Sequence, residues 1–125
     1  CYMNSQTQES KKQHITKMFE LMAATGKLCR VSELDMGLVD AAGNKVLTAD
    51  VTEEQHKAMA DLYKFVVSEY LRIIPANQQW SICQWCATDS PAGSGWRAGE
   101  PVGLWDSNYY RKHTYAGFAD GLSGK

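Results

Sequence analysis

Apolar residues recur at three- and four-residue intervals between Glu9 and Ala24, where Ile15, Met18, Phe19 and Met22 fall on one side of a helical repeat. That spacing predicts a helix, and Gly26 stands where a left-handed residue would close it. The run from Leu28 to Met36 is shorter, with Val31, Leu34 and Met36 among polar residues, and reads as a strand. Ala41-Ala42-Gly43-Asn44 is turn material. Thr52-Glu53-Glu54-Gln55 has the form of a capping box, with Thr as N-cap and Gln three residues on. It opens a second helix whose apolar face is Met59, Leu62, Tyr63, Val66, Tyr70 and Leu71, and Pro75 follows its end. Gln79 to Ala87 is a second strand, and Asp89 to Gly103, punctuated by Pro and Gly, is a long loop. A short extended piece from Val102 to Trp105 precedes a last helical stretch around Tyr115 to Leu122.

Helices alternating with strands in this order predict an α/β fold around a parallel sheet. Two strands alone cannot satisfy their edges or be covered on both faces, so the pattern predicts part of a larger sheet. No repeat or linker divides residues 1–125, which read as one unit incomplete on its own. The composition agrees with a packed domain: 125 residues, 44% hydrophobic, with four Trp, six Tyr and three Phe. A net charge of −1 with no basic stripe argues against a nucleic-acid partner. No apolar run approaches the ~20 residues of a membrane span, and Cys1-Tyr2-Met3-Asn4-Ser5 has no targeting signal.

The residues with chemical potential fall in four groups. Cys83-Gln84-Trp85-Cys86 matches C-x-x-C, but Cys1 and Cys29 supply no second zinc half-site. A redox pair would need a helix N-terminus, whereas these flanks read as strand, so two buried and inert thiols are expected. Glu33 and Asp35 are two apart on a predicted strand, which would send both carboxylates the same way. Acids at a strand's C-terminal end suit an active site, although a solvated strand end would show the same pattern. Of the tryptophans, Trp80 and Trp105 are expected in the core. Trp85 and Trp96 are open to either role, core or a flat wall against a sugar ring. His14, His56 and His113 share no ligand spacing and are expected as surface or helix-packing residues, so no metal site is predicted.

Taken together, several segments resemble the C-terminal part of glycoside hydrolase family 10, whose characteristic members are endo-1,4-β-xylanases. Phe19-Glu20-Leu21-Met22-Ala23-Ala24-Thr25-Gly26 followed by Arg30-Val31-Ser32-Glu33-Leu34-Asp35-Met36 is similar to the family signature at its seventh barrel strand. Gln84-Trp85-Cys86-Ala87-Thr88-Asp89 and Ser94-Gly95-Trp96-Arg97 resemble its eighth-strand pattern, W-G-x-T-D followed by S-W. Leu104-Trp105-Asp106-Ser107-Asn108-Tyr109 and Tyr115-Ala116-Gly117-Phe118 resemble its ending. Three departures stand out. Cys86 replaces the Gly after the first tryptophan, Pro91-Ala92-Gly93 lengthens the loop before Trp96, and His113-Thr114 replaces a Lys-Pro-Ala-type helix start.

The resemblance implies the C-terminal portion, about strands seven and eight with flanking helices, of a (β/α)8 TIM barrel. It implies a hydrolase of xylan or xylooligosaccharides, a retaining glycosidase of polysaccharide degradation that needs no cofactor. Glu33 maps to the nucleophile, Asp35 to its supporting hydrogen-bond network, and Trp85 and Trp96 to the sugar site beside the scissile bond. Nothing here matches the family's N-E acid/base motif, and a (β/α)8 barrel typically takes ~250 residues. The rest of the barrel is therefore an implied partner, as another chain or a missing segment, and the isolated chain is expected to be inactive. Secretion, or a periplasmic or cell-surface location, is expected by resemblance. The rival readings are a non-catalytic carbohydrate-binding module that uses the tryptophans and a thiol redox domain.

Overall fold

The chain is described by a computed structural model covering residues 2–3 and 8–125. A two-residue strand, β1 (Tyr2–Met3), precedes helix α1 (Gln8–Ala24), which ends on Gly26 in the left-handed region at φ +67°. Strand β2 (Cys29–Leu34) follows, then the two-residue β3 (Gly37–Leu38). Helix α2 (Glu53–Ile73) begins at the capping box. Gln55 N donates to Thr52 Oγ1 at 3.2 Å, and Thr52 N donates to Gln55 Oε1 at 2.9 Å. Strand β4 (Gln79–Gln84), the long loop and helix α3 (His113–Ser123) complete the order. Cys1, weighed above as a zinc partner, lies outside the described residues.

Both pairings are parallel, β1 with β3 and β2 with β4, as the alternation of helices and strands predicts. Between β2 and β4, Val31 faces Ile82 and Leu34 faces Gln84, so β2 carries one extra residue across Ser32–Glu33. Such a bulge bends the strand and re-aims its side chains. The register also slips between Cys29 and Arg30, and there the Tyr70 hydroxyl of α2 bridges the strands. It donates to Cys29 O at 2.8 Å and accepts from Trp80 N at 3.0 Å.

The core lies under the sheet, where Phe19 of α1 meets Met59, Leu62, Tyr63, Val66 and Tyr70 of α2 and Leu34, Met36 and Leu38. Phe19 and Tyr70 pack edge to face with ring centres 5.7 Å apart. Helix α3 lies hard against α2: a Cβ on Gly117 would sit 2.1 Å from Ala60 O, so only glycine permits this approach.

Three expectations need correction. The second strand ends at Gln84 rather than Ala87, because Cys86 adopts φ +68° and turns the chain out of the sheet. The last helix starts two residues early, since buried Thr114 is anchored by its hydroxyl to Gly103 O at 2.9 Å, a polar contact that apolar periodicity does not reveal. Trp80, expected in the core, is 64% exposed. It stands at the start of β4, bordered by Leu71, Phe118 and Leu122, with the Arg30 guanidinium 5.6 Å from its ring centre. Trp105 is partly buried and packs on the core, edge to face with Tyr115 at 5.1 Å.

Candidate active site

The bulge falls on the very residues that carry the acid pair. Glu33 is exposed, and among the described residues it has no hydrogen-bond or ion-pair partner. Asp35, just past the end of β2, is buried at 7% exposure. The simple alternation that would give both carboxylates one environment is therefore broken by the extra residue. One acid faces solvent and the other is enclosed.

Beside them, at the end of β4, Trp85 N donates to Leu34 O at 2.8 Å and extends the strand pairing by one bond. Trp85 and Trp96 are 43% and 49% exposed. They line one open cleft of about 410 Å³ with Cys86, Ser90, Pro91 and Ser94. The lengthened loop is not slack. Ser90 and Ser94 both donate their hydroxyls to Trp96 O, at 2.5 and 2.9 Å, and Trp96 N donates to Ser94 Oγ at 3.1 Å. Those bonds fix the backbone that presents the Trp96 ring.

Arg97 follows Trp96 and turns inward, with its backbone at φ +46°. Its Nε lies 2.7 Å from Asp35 Oδ2, and its Nη2 donates to Asp35 Oδ1 at 3.3 Å, a two-pronged grip. Nη1 donates to Glu100 Oε2 at 3.2 Å. The guanidinium also lies 4.4 Å from the Tyr2 ring centre and 5.7 Å from that of Trp96. Glu100 is fully buried and is held further by Lys45 Nζ at 2.7 Å and by the Tyr2 hydroxyl at 3.2 Å. Burial pushes its carboxyl up, but Lys45 and Arg97 together outweigh this and hold it below the ordinary range. Gly37 makes room for the cluster, since a Cβ there would come within 2.5 Å of Arg97 Nη1.

A second buried pair ties the long loop down. Asp89 Oδ1 accepts from Gly103 N at 3.0 Å and binds the Lys112 ammonium, which also donates to Pro101 O at 3.1 Å. Burial draws the Lys112 ammonium below its ordinary value against the pull of Asp89. Neither ion cluster was predicted. In the sequence Asp89 and Arg97 stand only as parts of a family-like pattern, and no spacing links Arg97 to a partner 62 residues away.

Cys83 lies on β4 and Cys86 beyond it, both half-buried and both free thiols, so they are neither fully buried nor both on the strand. Burial, aided by the Asp35 carboxylate, raises the Cys86 thiol, which disfavours the thiolate that redox chemistry requires. His14 is exposed on α1. His56 and His113 stack with ring centres 6.0 Å apart near the N-termini of α2 and α3. Among the described residues, no cluster of three His, Cys, Asp or Glu side chains could hold a metal ion, and no helix is long and apolar enough to cross a membrane.

An exposed carboxylate on β2, Trp85 just past β4 and Trp96 on the loop that follows therefore lie on the C-terminal side of adjacent parallel strands, the arrangement of an α/β-barrel site. The sequence matches glycosyl hydrolase family 10 over residues 1–121, and the chain belongs to that family. It is 31% identical, over 127 aligned residues and 89% of its length, to the endo-β-1,4-xylanase Xyn10C of Cellvibrio japonicus. The solved structure of native xylanase 10C from the same organism superposes with a TM-score of 0.77 at 27% identity, covering 91% of this chain. A mutant of that enzyme in complex with xylopentaose superposes with a TM-score of 0.74, again at 27% identity and 91% coverage. The chain spans 20% of the curated relative's length, and 26% and 25% of the two solved chains. It corresponds to a part of the (β/α)8 barrel of this family. The family is one of hydrolases, so a sugar-binding module without catalysis finds no support.

Proposed function

We propose that these 125 residues are the C-terminal part of the catalytic domain of a retaining endo-1,4-β-xylanase, with β2 and β4 as barrel strands seven and eight. Glu33 attacks the anomeric carbon and forms a glycosyl-enzyme, which water then releases. A carboxylic acid from the rest of the barrel protonates the leaving oxygen, and the pair must stand ~5–5.5 Å apart for direct attack. Asp35 steadies the strand end that carries Glu33, while Trp85 and Trp96 receive the sugar ring. No metal or organic cofactor is needed for this chemistry, and a polysaccharide substrate suits an enzyme acting outside the cytoplasm.

The observation that supports this reading is an exposed Glu33 on β2 next to Leu34, whose carbonyl accepts from the backbone of Trp85, one of the two tryptophans that line the cleft. Barrel enzymes assemble their active sites at this end of the strands. The likeness to a xylanase and to a xylopentaose complex supports xylan as the substrate class. In the complete barrel, Glu33→Gln should abolish xylan hydrolysis and leave xylooligosaccharide binding largely intact. Activity within severalfold of the parent would overturn the assignment.

A further inference from the structure

The tethering of Arg97 goes further than the support of a loop. Its guanidinium touches both Asp35, two residues after Glu33, and the ring of Trp96. Its Nη1 donates to Glu100, a carboxylate with no exposed surface whose other oxygen pairs with Lys45. Among the described residues, the carboxylates of Asp35 and Glu100 face the cations of Arg97 and Lys45. A buried charge left unbalanced is strongly unfavourable. Rigid side-chain anchoring of this kind is what orients a catalytic group lying one layer nearer the substrate.

We propose that Arg97, braced by Glu100 and Lys45, is a positioning residue that fixes Asp35 behind Glu33 and couples that support to the Trp96 wall of the sugar site. The inference rests on the assignment of Glu33 and deepens it. The brace acts at a distance from the chemistry: Lys45, on the turn after β3, is 57% exposed at its side chain and touches none of the cleft residues named above. The titratable groups around the guanidinium are Asp35, Glu100, Tyr2 and Lys45, with Tyr63 and Cys86 within electrostatic reach. Burial raises both Tyr63 and Cys86, which stay neutral on the acid side, so charge there is controlled by the carboxylates and their two cations.

The test uses the complete barrel with four variants: Glu33→Gln, Arg97→Lys, Arg97→Met and Lys45→Met. A lysine cannot reproduce a two-pronged grip. Misplacement of a reacting group by about 1 Å costs about 10²-fold, so Arg97→Met is expected to lose that much in kcat and Arg97→Lys about tenfold. KM should change little in both. Withdrawal of the cation eases protonation of the carboxylates, so the acid limb of the kcat/KM profile moves to higher pH. Lys45→Met should move that limb the same way, because buried Glu100 loses its main counter-charge, and a melting curve confirms that the variant is folded before its profile is read. If Glu33→Gln is inert while Arg97→Lys and Lys45→Met keep parental kcat and acid limb, the positioning role is overturned and the assignment of Glu33 stands. If Glu33→Gln remains active, both fall.

Discussion

Cys86 occupies a backbone conformation, φ +68°, that an L side chain enters only at a cost of about 1–3 kcal/mol. The family pattern has Gly at this position, so the site geometry is kept here against local strain. In the complete barrel, Cys86→Gly should raise stability by about 1 kcal/mol, seen as a higher melting temperature, since the relieved strain exceeds the loss of a half-buried thiol. A lower melting temperature would show that the thiol's packing outweighs its backbone strain. The two tryptophans of contrasting burial separate in the same way. Trp105→Ala should cost more stability than Trp85→Ala, because Trp105 packs on the core and on Tyr115. Loss of a buried tryptophan costs ~3–5 kcal/mol. Trp85→Ala should cost more in kcat/KM. Calorimetry and kinetics on both variants check the ranking. At this scale the candidate site was partly legible as a pattern: Glu33, Asp35, Trp85 and Trp96 stand in family-like motifs, and the variants above test their proposed roles. Arg97, Glu100 and Lys45 were not singled out, since charged residues in a polar loop look alike whether they face solvent or a buried acid.

Among the elements, α2 was the most legible, because Thr52 and Gln55 mark its start and a regular apolar face follows. The bulge in β2 was invisible, because hydrophobic alternation over six residues does not register one inserted residue. The start of α3 was missed for a related reason: it is set by Lys112 and Thr114 binding the loop rather than by an apolar stripe. The junction of α2 with α3 also carries a pH dependence. Burial first, then the charges of Lys112 and His113, hold His56 below its ordinary value near 6.5, against Asp89 and Glu53. The fold thus favours neutral His56. Its contribution is complete above about pH 6.5 and is lost as the pH falls through the lower folded value. Denaturation midpoints of the complete barrel, measured between pH 7.5 and 5, should fall less for His56→Gln than for the parent. Equal slopes would place the acid sensitivity elsewhere.

For the whole molecule, the decisive features are the edges of the β2–β4 pair, unpaired among the described residues, and the need of the proposed reaction for a second carboxylate besides Glu33. Unpaired strand edges invite association with other chains. Leu28, Met18 and Leu21 are exposed on the surface around α1 and the start of β2. The 125 residues expressed alone should therefore self-associate or fold poorly and should release no reducing sugar from xylan. Co-expression with the earlier barrel strands should restore a compact, active particle, and size-exclusion chromatography with a reducing-sugar assay checks both outcomes. A parallel α/β arrangement was readable from the order of elements. The tie between Asp89 and Lys112, which closes the long loop, depends on a chain reversal that no local pattern encodes.

The central claim is that Glu33 forms the covalent bond to the sugar. A xylobioside with fluorine in place of the reacting ring's 2-hydroxyl and a good leaving group slows release of the glycosyl-enzyme, so the intermediate accumulates on a retaining enzyme. The complete barrel, treated with this reagent, digested and analysed by mass spectrometry, should carry one sugar on the peptide containing Ser32-Glu33-Leu34-Asp35, with fragmentation placing it on Glu33. A label on any other residue, or an active barrel that never becomes labelled, would contradict the account.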